Sequence, residues 1–241
     1  MKMYERVSRV KIPRFRGMKK TINGQLRKGE GQVEGISRSI TVEEVLDALR
    51  DIDGSKSAGP DGVNPKFLKN LPRNAIEVVT RLFQESWRTG WIPQSWKVGE
   101  IIPLLKPGKE ASKLESYRPV CLTSCMGKWM ERVLNRRLRW WIEDKCKISQ
   151  YQTGFRQGRG VEDQVVRLSQ EVWDGFQERK KSGLVLFDFE RAYDKVWRDA
   201  LLYKMCKMEV HCRMIRWIQA WLTNRLAWVR VNDTRGRKVV F

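Results

Sequence analysis

Leu184-Val185-Leu186-Phe187-Asp188-Phe189-Glu190-Arg191-Ala192-Tyr193-Asp194 is the stretch on which the fold reading turns. Gly183 breaks the helical pattern before it, and four apolar residues then follow without alternation. That is the pattern of a short strand buried on both faces. Asp188 stands at its C-terminal end. A carboxylate there can hold a metal ion rigidly beside a cleft. An aspartate that caps the following helix accounts for the same residues.

Upstream, Val161–Lys181 carries Val165, Leu168, Val172 and Phe176 at helical spacing. Met126–Lys145 predicts a longer helix, with Trp129, Met130, Val133, Leu134 and Trp141 on one side and Arg132, Arg136 and Arg139 on another. Before it, the run from Lys97 ends in the turn Lys106-Pro107-Gly108-Lys109, and Ser116–Ser124 returns as a second strand. This is a β-hairpin with cations at its tip. Lys106 and Lys109 flank the turn and Arg118 precedes Pro119; such groups suit a triphosphate, and they equally suit a solvated turn.

Nearer the start, Thr41 with Glu44 makes a capping box ahead of Val42, Val45, Leu46, Leu49 and Ile52. Ser55–Pro65 is loop chemistry, and Asn74–Thr89 predicts a helix stopped by Gly90. Helices are expected again at Asp199–Met208 and Cys212–Arg225. Trp228–Val231, a turn at Asp233–Arg237 and Lys238–Phe241 begin a second hairpin, within which the chain reads as cut.

The 241 residues, 41% of them hydrophobic, suffice for a real core. Lys and Arg number 48 against 28 Asp and Glu, a net charge of +20, so a polyanion is the expected partner. Residues 1–40 are read as a mobile basic arm: ten Lys or Arg face only Glu5 and Glu30 in the first 30 positions. No apolar run reaches the ~18 residues of a membrane span, and the start has no signal-peptide core. The five cysteines read as reduced thiols, and the one histidine, His211, as a helix-surface residue. Of the eleven tryptophans, Trp87, Trp129, Trp217 and Trp221 sit at core spacing. Trp140 and Trp141, beside Arg136, Arg137 and Arg139, are the pair placed to touch nucleic acid.

The blocks Lys56–Gly62 (KSAGPDG), Ile101–Lys109 (IIPLLKPGK), Ser116–Ser124 (SYRPVCLTS), Gly127–Leu138 (GKWMERVLNRRL), Gln150–Gly160 (QYQTGFRQGRG) and Phe187–Trp197 (FDFERAYDKVW) occur in the order found in one family. The chain resembles, from Val42 to Trp228, the reverse transcriptase of LINE-type (non-LTR) retrotransposons. The resemblance implies an α/β (α+β) right-hand polymerase fold: fingers and an incomplete palm over residues 41–241, mostly helical with a small antiparallel sheet. It implies an RNA-directed DNA polymerase whose partners are an RNA template, a DNA primer and dNTP, working inside the cell in nucleus and cytoplasm. Asp188 matches the first catalytic aspartate, which with the carbonyl of Phe189 would bind Mg²⁺ in a two-metal mechanism. Lys106 and Arg118 match residues that grip the triphosphate. Tyr193 falls where a bulky ring lies beneath the sugar and excludes a ribose 2′-hydroxyl. Gln152, Gly154, Phe155 and Arg156 match a block beside template and primer.

The sequence departs from the family pattern in one respect that bears on activity. It contains no Asp-Asp pair, and after Asp188 the only carboxylates are Glu190, Asp194, Asp199, Glu209 and Asp233. One aspartate cannot hold two metal ions about 4 Å apart, so the chain alone is expected to lack polymerase activity. The competing expectation is a non-catalytic nucleic-acid-binding remnant, kept for its basic surface.

Overall fold

The computed structural model describes residues 15–27, 35–190 and 192–240. They divide into two compact units, one holding the chain up to Arg139 together with Arg198 onward, the other Trp140–Trp197.

The first unit begins with helix α1 (Phe15–Arg27), inside the stretch read as a mobile arm. Ile22 is buried, and the helix packs on the two C-terminal helices described below. The rest of the arm reading, residues 1–14 and 28–34, lies outside the described residues. Helix α2 (Val42–Arg50) starts as its sequence predicts: the Glu44 amide donates to Thr41 Oγ1 at 3.3 Å, and the Thr41 amide donates to Glu44 Oε2 at 2.9 Å. Val45, Ala48 and Leu49 form its buried face. A short helix, α3 (Pro65–Lys69), is capped by Asn64 and has proline in its first turn. Helix α4 (Arg73–Thr89) buries Ile76, Phe83 and Trp87 and ends at Gly90.

Helix α5 (Cys125–Asp144) supplies Trp129, Met130, Val133 and Leu134 to the same core. Phe83 meets Trp129 and Trp96 edge to face, with centroids at 5.5 and 5.8 Å, the geometry that the ring quadrupole favours. Each indole N–H needs an acceptor once buried. Trp129 donates to the Val45 carbonyl at 2.8 Å, Trp87 to that of Arg38 at 3.0 Å and Trp217 to Ser86 Oγ at 3.1 Å. Trp87, Trp129 and Trp217 are therefore in the core with their polar ends satisfied, and Trp221, also assigned there, is buried as well.

Arg137 departs from its predicted setting. It is buried, its Nε and Nη2 forked on Glu44 at 2.8 and 2.7 Å, and its Nη groups donate to the carbonyls of Arg38 and Ser39. The guanidinium also lies 5.6 Å over the Trp87 ring. Every side of this charge is occupied, so it staples the chain before α2 onto α5 and takes no part in a basic outer face.

In the second unit, helix α6 (Val161–Gln177) is fixed at its start by the Gly160 amide donating to Asp163 Oδ2 at 2.7 Å. None of its residues is buried. Back in the first unit come α7 (Arg198–Lys207) and α8 (Cys212–Leu222), on which α1 packs. His211 is the N-cap of α8, its Nδ1 accepting from the Arg213 amide at 3.2 Å, so it is more than a surface residue.

The sheet of the first unit is mixed, not purely antiparallel. Strand β1 (Val98–Leu105) pairs antiparallel with β2 (Tyr117–Thr123), from Gly99 opposite Thr123 to Leu105 opposite Tyr117. On its other side β1 runs parallel to β3 (Leu226–Val231), with Glu100 opposite Trp228. Two short strands, β4 (Thr234–Arg235) and β5 (Val239–Val240), pair with the far edge of β3. The loop Ser55–Pro65 is seated where β2 meets α5: a Cβ on Gly59 would fall 2.4 Å from the Thr123 carbonyl oxygen. Only glycine allows that approach.

Candidate nucleotide and nucleic-acid site

At the hairpin tip, the Lys106 amide donates to the Ser116 carbonyl at 2.8 Å, adding one rung beyond Leu105–Tyr117. The Lys109 amide donates to the Lys106 carbonyl at 3.2 Å and closes the turn. Pro107 and Gly108, the latter at φ 69°, occupy its corners, as a type II turn requires. Leu104 pairs with Arg118, and alternate residues share a face. Lys106 and Arg118 therefore point to the same side of the hairpin.

Lys106 Nζ uses one proton on the Glu115 carbonyl, at 2.6 Å. Arg118 is exposed and has no partner among the described residues. The carboxylates nearby in sequence are engaged elsewhere or free of both cations; Glu110 pairs with Lys113 at 2.8 Å. The tip thus offers a forked guanidinium and a point charge, both uncompensated. An anion with several oxygens fits such a pair.

The loop carrying Gln152, Gly154, Phe155 and Arg156 belongs to the second unit. Arg156 holds it together: Nε and Nη2 grip the Glu143 carboxylate, with Nε at 2.8 Å, while Nη1 donates to the carbonyls of Ser149 and Gln152. The Glu143 carboxylate pushes the Arg156 pKa further up, so this guanidinium works as an internal staple. Gln152 Nε2 donates to the Gly154 carbonyl at 3.4 Å. Phe155 differs from both. It sits at φ 62°, a left-handed conformation that costs a non-glycine residue ~1–3 kcal/mol, and its ring is 86% exposed.

The stretch from Leu184 to Asp188 does not take its predicted form. It has no strand pairing, and Leu186 and Phe187 are 84% and 87% exposed. A run that is apolar on both sides needs neighbouring strands and a cover on each face; no strand among the described residues pairs with it. Asp188 is exposed, its Oδ1 accepting from the Phe189 amide at 2.9 Å. Phe189 and Tyr193 are exposed beside it.

An octahedral Mg²⁺ takes about six oxygens. The Asp188 carboxylate and the Phe189 carbonyl would supply two, and no cluster of three His, Cys, Asp or Glu occurs among the described residues. The donor set by itself does not fit a two-metal centre.

One cluster escaped the sequence reading. Glu100, buried in the sheet, accepts from Trp228 Nε1 at 2.9 Å, Arg230 Nε at 2.9 Å and Arg235 Nε at 3.1 Å. The indole N–H and the two guanidiniums hold its carboxyl below the usual range, against the opposing effect of burial. The signal available was a lone acidic residue inside an apolar strand, which must be paired if it is buried.

A mostly helical α+β unit, with a basic-tipped hairpin in a small sheet, is the architecture of polymerase fingers and the start of a palm. The family model described as "Reverse transcriptase (RNA-dependent DNA polymerase)" matches residues 104–240, more than half of the chain, and the chain belongs to that family. Within it, the chain sides with the enzymes of non-LTR retrotransposons. It is 34% identical over 171 residues to the probable RNA-directed DNA polymerase from transposon BS of Drosophila melanogaster, covering 71% of this chain and 19% of the relative. It is 30% identical to the RNA-directed DNA polymerase from mobile element jockey of Drosophila funebris, covering 68% of this chain and 18% of that protein. It is also 30% identical to a putative 115 kDa protein in the type-1 retrotransposable element R1DM of Drosophila melanogaster, over 82% of this chain and 19% of the relative. The chain spans less than a fifth of each of these three relatives. No helix among the described residues is long and apolar enough to cross a membrane.

Proposed function

We propose that the chain is the fingers and early palm (residues 41–241) of an RNA-directed DNA polymerase, contributing to dNTP and template–primer binding. The observation that carries this is the hairpin tip, where Lys106 and Arg118 share one face with no carboxylate against either. In the intact enzyme these two groups neutralise the triphosphate, and Asp188 with the Phe189 carbonyl contributes to a Mg²⁺ site. Tyr193 lies under the sugar and selects dNTP over NTP by volume. Around the Gln152–Arg156 loop, the exposed Phe155 ring is suited to stacking on a base. Arg156, with Gln152 and Gly154, keeps the loop in shape for that contact.

The lack of an Asp-Asp pair in the sequence supports the reading that the chain on its own carries out no nucleotidyl transfer. The test is direct. Equilibrium binding of a fluorescent dNTP to the 241-residue chain should weaken at least tenfold in Lys106→Ala/Arg118→Ala, the loss expected for charge-assisted hydrogen bonds worth ~1.5–3 kcal/mol each. Unchanged dNTP binding would remove the hairpin from the site. Primer extension by the chain with Mg²⁺ should be absent, and any template-directed product would overturn the inactivity.

A second reading, nucleic-acid binding without catalysis, is favoured by the exposure of Asp188 and its isolation from a carboxylate cluster. Under it, Asp188→Asn leaves RNA affinity unchanged or slightly raised with and without Mg²⁺. Under the polymerase reading, Mg²⁺ offsets the repulsion that this carboxylate exerts, and the substitution abolishes that offset.

A further inference from the structure

We propose that the sheet face around Trp228 is a second phosphate-binding site, built by Arg230, Arg235 and Lys238 and positioned by Glu100. Its ligand is the phosphodiester backbone of a nucleic-acid strand. The choice of nucleic acid rests on the polymerase reading; the site itself rests on separate residues.

Sheet register brings these groups together. Glu100 is opposite Trp228, and Arg230 is opposite Arg235. Trp228 and Arg230 alternate along β3, so Glu100, Trp228, Arg230 and Arg235 all lie on one face. Lys238 Nζ and the Arg235 guanidinium stand 5.3 and 5.4 Å over the Trp228 ring. Two arginines therefore grip the one carboxylate while Lys238 stands over the same indole, and these three cations against Glu100 leave a charge of +2 uncompensated. Asp233, in the turn between β3 and β4, pairs with none of the three.

The manner of attachment matters more than the count. Both arginines touch Glu100 through Nε alone. Beyond that, Arg230 Nη1 donates to the Asn232 carbonyl at 3.3 Å, and the remaining Nη donors of the pair have no acceptor among the described residues. A guanidinium held by its Nε edge presents its Nη groups outward, already oriented for a phosphate. Trp228 is only 8% exposed and covered by cations, so it is a platform for charge and not a surface for bases. The site reads backbone, not sequence.

The same face extends to the hairpin tip. Glu100 and Lys106 alternate along β1 and its one-rung extension. At ~3.3 Å per residue they lie about 20 Å apart, a span that a single strand of several nucleotides crosses. One strand of that length can engage both ends.

The experiment is fluorescence anisotropy of the full 241-residue chain with a labelled, mixed-sequence 20-nucleotide single-stranded RNA, over a salt series. Each phosphate contact to a single strand contributes ~0.7 to the salt slope. Arg230→Ala/Arg235→Ala/Lys238→Ala should therefore lower the slope by about 2 and weaken binding about a hundredfold at 0.1 M salt. Arg237→Ala, one exposed charge in the same hairpin, should cost less than Arg235→Ala; equal losses would mean diffuse charge and overturn the site. Arg235→Lys keeps the charge, loses the fork and should bind severalfold more weakly.

Glu100→Gln separates positioning from simple charge. It raises the net charge, so diffuse attraction predicts tighter binding; loss of the clamp predicts weaker binding. Tighter binding overturns the role of Glu100. Circular dichroism and the melting temperature check that each variant is folded, with Arg235→Lys as the conservative fallback. If Lys106→Ala/Arg118→Ala leaves dNTP binding intact while the triple variant loses RNA, the polymerase reading of the hairpin fails and the present site stands.

Discussion

Helices α5 and α6 show the same kind of pattern in sequence and meet opposite fates. In the first unit Trp129, Met130, Val133 and Leu134 of α5 are buried, Trp129 packs edge to face on Phe83, and its indole N–H has found an acceptor. In the second unit Trp173 and Phe176 of α6 are 60% and 64% exposed, and no residue of that helix is buried. Periodicity fixes which side of a helix would be covered. Whether a cover exists depends on other segments, and stability follows the cover, not the stripe.

Truncation in the first core should produce the largest effect. Trp129→Ala removes a fully buried indole and its bond to the Val45 carbonyl, and should cost ~3–5 kcal/mol in urea unfolding followed by tryptophan fluorescence. A loss below ~1 kcal/mol would mean that this core is looser than its packing suggests.

Arg137→Ala comes next, at about 3 kcal/mol, because it leaves Glu44 half-buried with only the longer 3.6 Å ion pair to Arg38. Hydrogen bonds from Arg137 and from the Thr41 amide hold the Glu44 pKa below the ordinary carboxylate value, although burial alone would raise it. A carboxylate whose folded pKa is depressed stabilises the fold above its unfolded pKa of about 4.3. That contribution is lost as pH falls through the lower folded value. Thermal melts between pH 7 and pH 3 should show the wild-type advantage over Arg137→Ala shrinking on the acid side; an advantage independent of pH would disconnect the pair from stability.

The smallest effect belongs to the second unit. Trp173→Ala should change stability by less than ~0.5 kcal/mol, as exposed positions do. Amide exchange along α6 should also run faster than along α5. Slow exchange there would contradict the contrast between the two units.

Much of the first unit was legible in its residues. Thr41 and Glu44 announce a capping box that forms in both directions, and Pro107-Gly108 marks the hairpin turn that Lys106 and Lys109 close. Both are short-range signals, decided by neighbours a few residues away. The failures are long-range. Leu184–Phe187 reads as a buried strand, but burial needs pairing that no described segment provides. Arg137 reads as one more cation on a basic helix, whereas Glu44 and two carbonyls about a hundred residues upstream draw it inward. Helix α1 hid behind its charge, although Phe15, Met18, Ile22 and Leu26 recur at helical spacing. In the candidate site, Lys106 and Arg118 could be picked out because a hairpin brings sequence neighbours together. The Glu100 cluster could not, since it joins adjacent strands whose residues stand about 130 positions apart in the chain.

The parallel pairing of β1 with β3 also governs how the chain comes into being. About 130 residues separate Val98 from Leu226, and the whole second unit is synthesised between them. Closing so long a loop must precede any gain from the contacts it makes, which slows folding and raises contact order. At translation rates of ~5–20 residues per second, β1 would wait roughly 6–26 seconds on the ribosome for its parallel partner. During that interval the β1 edge, with Glu100 lacking both arginines, is open to any passing strand, and the cell must keep it from pairing with the wrong one.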